Sequence, residues 1–209
     1  MKKGYFDVVM VLDRSGSMGC VRNDVIGGVN TFIDDQRKIE GECLFTLIQF
    51  NQDIKFEYVA IPINNVKHLD TITYIPNGTT ALYDAIAMGI NATGDRLNKM
   101  SEMDKPEKII FIIQTDGYEN ASKEFKDPKI IKEMIKHQTD IYSWEFVFMG
   151  ADIDASEVAS SINISCNNSL KFDNNSDGYF TAYASVSKNL TQCRSGVSGS
   201  MAFTDNKTK

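Results

Sequence analysis

Asp13, Ser15 and Ser17 stand at i, i+2 and i+4 in Asp13-Arg14-Ser15-Gly16-Ser17, where the apolar run Val8-Val9-Met10-Val11-Leu12 stops. A carboxylate and two hydroxyls are hard oxygen donors, suited to Mg²⁺, Mn²⁺ or Ca²⁺ rather than to zinc. A loop that curls off a strand end can aim three such oxygens inward, and Gly16 lets it bend that tightly. Two distant residues fit the same chemistry. Thr79 lies in Asn77-Gly78-Thr79-Thr80-Ala81-Leu82, a loop leading into a helix, and Asp116 ends a second apolar run, Ile109-Ile110-Phe111-Ile112-Ile113. Ser15, Ser17 and Thr79 are also residue types that begin helices. That simpler reading leaves Asp116 without a reason.

The elements that must position these groups follow from hydrophobic period. Val8 to Leu12 and Ile109 to Ile113 are unbroken apolar runs, as in parallel strands covered on both faces, and the mostly apolar Cys43 to Phe50 and Trp144 to Met149 are read as two further strands. Ile54-Lys55-Phe56-Glu57-Tyr58 alternates instead, predicting a half-exposed antiparallel edge strand after the turn Asn51-Gln52-Asp53. Leu170-Lys171-Phe172 is expected at the other edge. Helices are expected around Val25–Ile39, Leu82–Leu97, Pro128–Ile135, Ala155–Ile162 and Asp177–Cys193. Strands alternating with helices predict an α/β, doubly wound, mostly parallel sheet with helices on both faces, Rossmann-like in plan. In such sheets ligands gather beyond the carboxyl ends of the strands, where strand order reverses. The strands ending at Asp13 and Asp116 are expected to flank that point.

The 209 residues predict one domain, residues 1–194, and a polar, uncompact tail over 195–209. A net charge of −6 argues against nucleic acid as a partner. No apolar run reaches the ~20 residues of a membrane span. Tyr5 to Leu12 is too short and too polar for a signal-peptide core. Cys20, Cys43, Cys166 and Cys193 form no C-x-x-C pair, so they are expected as buried free thiols in a reducing compartment. The expectation is a cytoplasmic protein. His68 and His137 lack a second histidine at ligand spacing, and Lys129, Lys132 and Lys136 form a solvated helix face. Glu119 and Asp152 follow strand ends on the site face and are expected as solvated loop acids.

With these placements, Asp13-x-Ser15-x-Ser17, Thr79 and Asp116-Gly117 resemble the complete metal-ion-dependent adhesion site, the MIDAS, of von Willebrand factor A (vWA) domains. The resemblance runs from about Phe6 to Cys193. The blocks Val11–Met18, Gly78–Leu82, Thr115–Asn120 and Trp144–Ala151 look like the small stand-alone A domains of bacteria and their phages. The resemblance implies Ser15, Ser17 and Thr79 as hydroxyl ligands of one divalent cation. It implies Asp13 and Asp116 as ligands acting directly or through water. Mg²⁺ is the first choice, with Mn²⁺ or Ca²⁺ as alternatives.

Three neutral hydroxyls and at most two carboxylates leave a dication weakly neutralised, so an open position favours an incoming Asp or Glu. The expected function is binding rather than turnover: a partner protein offers an acidic side chain to the metal. An AAA-type ATPase is the partner suggested by analogy with the family. Two other functions compete. A metal-dependent phosphohydrolase would use Asp13 as nucleophile, yet such enzymes usually need a second acid two residues on, where Ser15 stands. Membership of an RNA particle conflicts with the acidic charge.

Overall fold

An apolar run without polar alternation must be covered on both sides, and the first strand is. In the computed structural model, which describes residues 1–203, β1 (Lys2–Asp13) sits inside a six-stranded sheet. Along it Val8, Met10 and Leu12 enter one core, while Val9 and Val11 enter the other. The same alternation recurs in β4 (Pro106–Thr115), where Ile110 and Ile112 face one way and Ile109, Phe111 and Ile113 the other.

The remaining elements are α1 (Arg22–Arg37), β2 (Glu42–Phe50), β3 (Ile54–Pro62), α2 (Leu82–Asn98), α3 (Pro128–Tyr142), β5 (Glu145–Ala151), α4 (Ala155–Ser161), β6 (Ser169–Phe172) and α5 (Ser176–Arg194). Strand order is β3-β2-β1-β4-β5-β6. Every pairing is parallel except β2 with β3, which is antiparallel as the alternation of Ile54–Tyr58 predicts. Helices α1 and α5 cover one face through Val25, Val29, Phe32, Tyr179, Val186 and Leu190. The other face is covered by α2, α3 and α4 through Leu82, Ile86, Ile90, Ile131, Ile135 and Ala159. At roughly 1.5–3 kcal/mol for each fully buried large apolar side chain, these two cores hold the strand ends still.

Chain order reverses between β1 and β4. The chain moves outward from β1 to β2 and β3, then returns to β4 on β1's other side. Leu12 is paired with Gln114, so Asp13 and Thr115-Asp116 emerge side by side from the sheet.

Two expectations need correction. Residues 195–203 are not an uncompact tail: Met201 is fully buried in the α1/α5 core, and its N–H donates to Glu145 Oε2 at 2.6 Å. The Phe203 N–H donates to the Asn167 carbonyl at 2.7 Å. The segment's polar average hid one apolar anchor and a set of backbone bonds. The rest of the expected tail, 204–209, lies outside the described residues. All four cysteines are free, but only Cys43 and Cys193 are buried; Cys20 and Cys166 are exposed because they sit in turns rather than on core faces. Among the described residues no helix is long and apolar enough to cross a membrane.

Candidate metal centre

Three loops meet beyond the carboxyl ends of β1 and β4. The first begins at Asp13, whose side chain is entirely buried. Its Oδ1 accepts the Ser15 N–H at 2.6 Å, and its Oδ2 accepts the Thr115 hydroxyl at 2.6 Å. The Tyr74 hydroxyl donates to the Asp13 carbonyl, also at 2.6 Å. Asp13 therefore fixes its own loop and ties β1 to β4. Ser15 Oγ lies 3.2 Å from Ser17 Oγ, and the Ser17 hydroxyl donates to Asp116 Oδ1 at 2.7 Å. Four of the five residues singled out by spacing thus form one chain of contacts, although 99 positions separate Ser17 from Asp116.

Thr79 reaches the same place through backbone. The Gly16 N–H donates to the Gly78 carbonyl at 3.0 Å, and the Asn77 N–H donates to the Arg14 carbonyl at 2.9 Å. The Thr79 N–H donates to Gln52 Oε1 at 3.2 Å, and the Thr79 side chain is exposed at the rim. Gly78 has φ +73°, a conformation that favours glycine, and a Cβ there would push aside the Gln52 amide that accepts the Thr79 N–H. Asn51 clamps the loop further. Its amide donates to the Asn77 carbonyl at 3.0 Å and Oδ1 at 2.6 Å, while its carbonyl accepts the Ala81 N–H at 2.8 Å. The third loop is joined to the second by a reciprocal pair, Thr80 N–H to Asn120 Oδ1 and Asn120 N–H to the Thr80 carbonyl.

Thr115, Tyr74, Asn51, Gln52 and Asn174 are the contributors that spacing did not reveal. Thr115 had a readable signal, a hydroxyl immediately before the strand-end aspartate. The others act across loops, and nothing local marks them.

Burial pushes the Asp13 carboxyl up to about 6, against the opposing pull of the Thr115 hydroxyl and Ser15. Burial raises Asp116 as well; Ser17 and the Asn174 side chain oppose this, and the Asp152 charge adds to it. Asp116 Oδ2 is buried with no hydrogen-bond partner among the described residues. A buried carboxylate oxygen without a donor is costly and calls for a cation. The donors around it are hydroxyls and one further carboxylate. Among the described residues no three of His, Cys, Asp and Glu gather as a metal cluster; the donors here are oxygens, the set that a hard dication takes. The residues present therefore fit a hard divalent cation. Asp13 is buried with both its oxygens engaged.

A family model for the von Willebrand factor type A domain matches residues 7–184. The chain belongs to the von Willebrand factor type A family. Among solved structures, proximal thread matrix protein 1 from the mussel byssus, described as having a zinc-occupied MIDAS motif, is 17% identical with a TM-score of 0.62. That match covers 90% of this chain and 46% of the mussel chain. The pilus adhesin SpaC of Lactobacillus rhamnosus GG, in an open conformation, is 15% identical with a TM-score of 0.69, over 92% of this chain and 30% of SpaC. The manganese-loaded TRAP protein of Plasmodium vivax is 17% identical with a TM-score of 0.56, over 88% of this chain and 72% of TRAP. At these identities the likeness shows the vWA fold. The chain spans less than half the length of the mussel protein and about a third of SpaC. None of the curated proteins compared matches it.

The acids after strand ends divide. Asp152 is exposed, as expected. Glu119 is not a solvated loop acid: Oε1 accepts the N–H groups of Ala121 and Ser122, and Oε2 accepts the Tyr83 N–H and the Ser122 hydroxyl. A carboxylate close to unpaired backbone donors satisfies them rather than facing water.

Proposed function

We propose that this vWA domain is a binding module that holds one divalent cation and uses it to engage an acidic side chain of a partner protein. Ser15, Ser17 and Thr79 would supply hydroxyl oxygens, and Asp116 a carboxylate oxygen. Asp13 would act through water, since both its oxygens are already engaged. When bound, the cation supplies a positive centre with an outward position for a foreign carboxylate. The unpartnered, buried Asp116 Oδ2 carries this reading. The zinc- and manganese-bearing vWA neighbours support a divalent cation in general. Mg²⁺ is our choice here because it suits an all-oxygen, hydroxyl-rich set.

The finer parts of the reading are a cytoplasmic module of the stand-alone bacterial or phage type, with an AAA-type ATPase as candidate partner. The phosphohydrolase alternative is disfavoured by the sealed position of Asp13, and the RNA-particle alternative by the acidic charge. Affinity capture with the immobilised protein tests the main claim. A partner retained in Mg²⁺, released by EDTA and not retained by a Ser15→Ala/Ser17→Ala variant is the expected result. Retention that survives both EDTA and the double substitution contradicts it.

A further inference from the structure

Asp116 has a neighbour from a fourth loop. The Asn174 side chain, between β6 and α5, stands beside the Asp116 carboxyl and opposes the rise that burial gives it. Two oxygens in this corner lack hydrogen-bond partners among the described residues, Asp116 Oδ2 and Asn174 Oδ1, and both are buried. Each can only accept, so neither answers the other, and an unanswered buried acceptor is costly. A single cation satisfies both.

The loop is built to keep Asn174 in place. The Asn174 N–H donates to Asp152 Oδ1 at 3.1 Å, and the Asp152 N–H donates to the Phe172 carbonyl at 3.0 Å, which ties the exits of β5 and β6 together. Asp152 does this from the left-handed region, φ +53°, which aspartate tolerates better than most residues. On the other side Asn175 caps α5, its Oδ1 accepting the Gly178 N–H at 2.9 Å. A Cβ at Gly178 would stand 2.0 Å from the Asp173 carbonyl oxygen, so the first turn of α5 closes directly on the loop. A fixed backbone thus presents the Asn174 side chain to Asp116.

The donor count decides what such an oxygen adds. Ser15, Ser17, Thr79 and Asp116, the water that Asp13 holds and the outward position for a partner's carboxylate already fill an octahedron in the proposed centre. Mg²⁺ keeps to six oxygens at about 2.0–2.1 Å, whereas Ca²⁺ takes six to eight at about 2.3–2.6 Å and accepts a side-chain amide carbonyl among them. We infer that Asn174 is a further residue of the metal centre, a seventh oxygen donor that a dication of the Ca²⁺ class engages and Mg²⁺ leaves unused. The inference rests on the metal-mediated reading, and it makes one residue of the β6–α5 loop a determinant of which ion the centre prefers.

Titration of the full chain with CaCl₂ or MgCl₂ alone, followed by ¹⁵N–¹H NMR, supplies the test. The Asn174 side-chain amide pair is assigned by its loss in Asn174→Ala, and the backbone amides of Ser17 and Gly117 report occupancy of the centre. Ca²⁺ is expected to shift all of these signals. Mg²⁺ is expected to shift Ser17 and Gly117 while the Asn174 pair stays near its metal-free position. Asn174→Ala is expected to weaken Ca²⁺ binding roughly tenfold and Mg²⁺ binding by at most about twofold. Asn174→Asp keeps an oxygen there and adds charge, so it is expected to bind Ca²⁺ more tightly than the parent; a role confined to donating an N–H to Asp116 predicts weaker binding. Equal loss of both ions in Asn174→Ala, weaker Ca²⁺ binding in Asn174→Asp, or an Asn174 pair that Ca²⁺ leaves unmoved while Ser17 and Gly117 respond overturns the assignment of Asn174 and leaves the metal centre standing. If neither ion moves Ser17 or Gly117 in the parent, the metal-mediated reading itself fails, and the role of Asn174 with it.

Discussion

Asp84 and Glu119 stand near the same carboxyl end of the sheet as Asp116, and they use their oxygens differently from it. Asp84 is buried in the first turn of α2 and accepts the N–H groups of Lys123, Glu124 and Phe125. Glu119 accepts three more N–H groups and a hydroxyl. Together they knot the loop after β4 to the start of α2, and their four oxygens are all engaged. Across the loop, Asp116 Oδ2 makes no hydrogen bond among the described residues, and the Asn174 side chain stands near enough to draw its carboxyl down. Hydrogen-bond accounting therefore sets these carboxylates, and Asp13 with both its oxygens engaged, apart from Asp116. Composition and spacing cannot do this, because all four are acids in loops or helix starts near strand ends.

The largest effect expected from this contrast is at Asp84. Asp84→Ala removes a buried acceptor and strands three backbone donors, so it is expected to cost about 3 kcal/mol of unfolding free energy. Urea denaturation measures this, and a loss near zero would mean that the knot is not what holds the loop. Asp116→Asn is expected to do the opposite in metal-free protein. Removing a buried charge that lacks a donor is expected to stabilise the fold by about 1 kcal/mol while abolishing the response to metal. A destabilised Asp116→Asn in EDTA would erase the distinction between Asp116 and the scaffold carboxylates.

Added cation sharpens the comparison further. For a dissociation constant of ~0.1–1 mM, about 1 mM Mg²⁺ stabilises the parent by only ~0.4–1.4 kcal/mol. The same increment is expected in a Glu119→Gln protein that still folds, and none in Ser15→Ala/Ser17→Ala. The smallest effect is on pH. Burial raises the Asp13 carboxyl from 3.8 to about 6, so the metal-free fold holds a proton that the unfolded chain releases in that window. Its contribution thus makes the fold less stable as pH rises from about 4 to about 6. A dication competes with that proton, so the thermal shift caused by Mg²⁺ is expected in full near pH 7.5 and diminished near pH 5. Differential scanning fluorimetry at both values checks it; a shift that grows on acidification contradicts the assignment of Asp13.

Much of this molecule is legible in its sequence, for a physical reason. Runs such as Val8–Leu12 and Ile109–Ile113 announce strands buried on both faces, and the polar residues that end them announce where a ligand would sit. The alternation of Ile54–Tyr58 likewise marks the antiparallel edge strand that the structure contains. What could not be read depends on partners distant in sequence. Glu119 is just another loop acid until the N–H groups of Tyr83, Ala121 and Ser122 turn toward it. Tyr74 reaches the Asp13 carbonyl across 61 positions. Met201 becomes core only because Glu145 and α5 offer it a place, while its neighbours in the chain are small and polar.

The most direct test of the central claim is a titration with Mn²⁺ followed by electron paramagnetic resonance, on the parent and on Ser15→Ala/Ser17→Ala. One saturable site of sub-millimolar affinity in the parent, displaced by Mg²⁺ and absent from the double variant, is the predicted result. Mn²⁺ bound equally by both proteins, or by neither, would contradict a metal centre at the ends of β1 and β4.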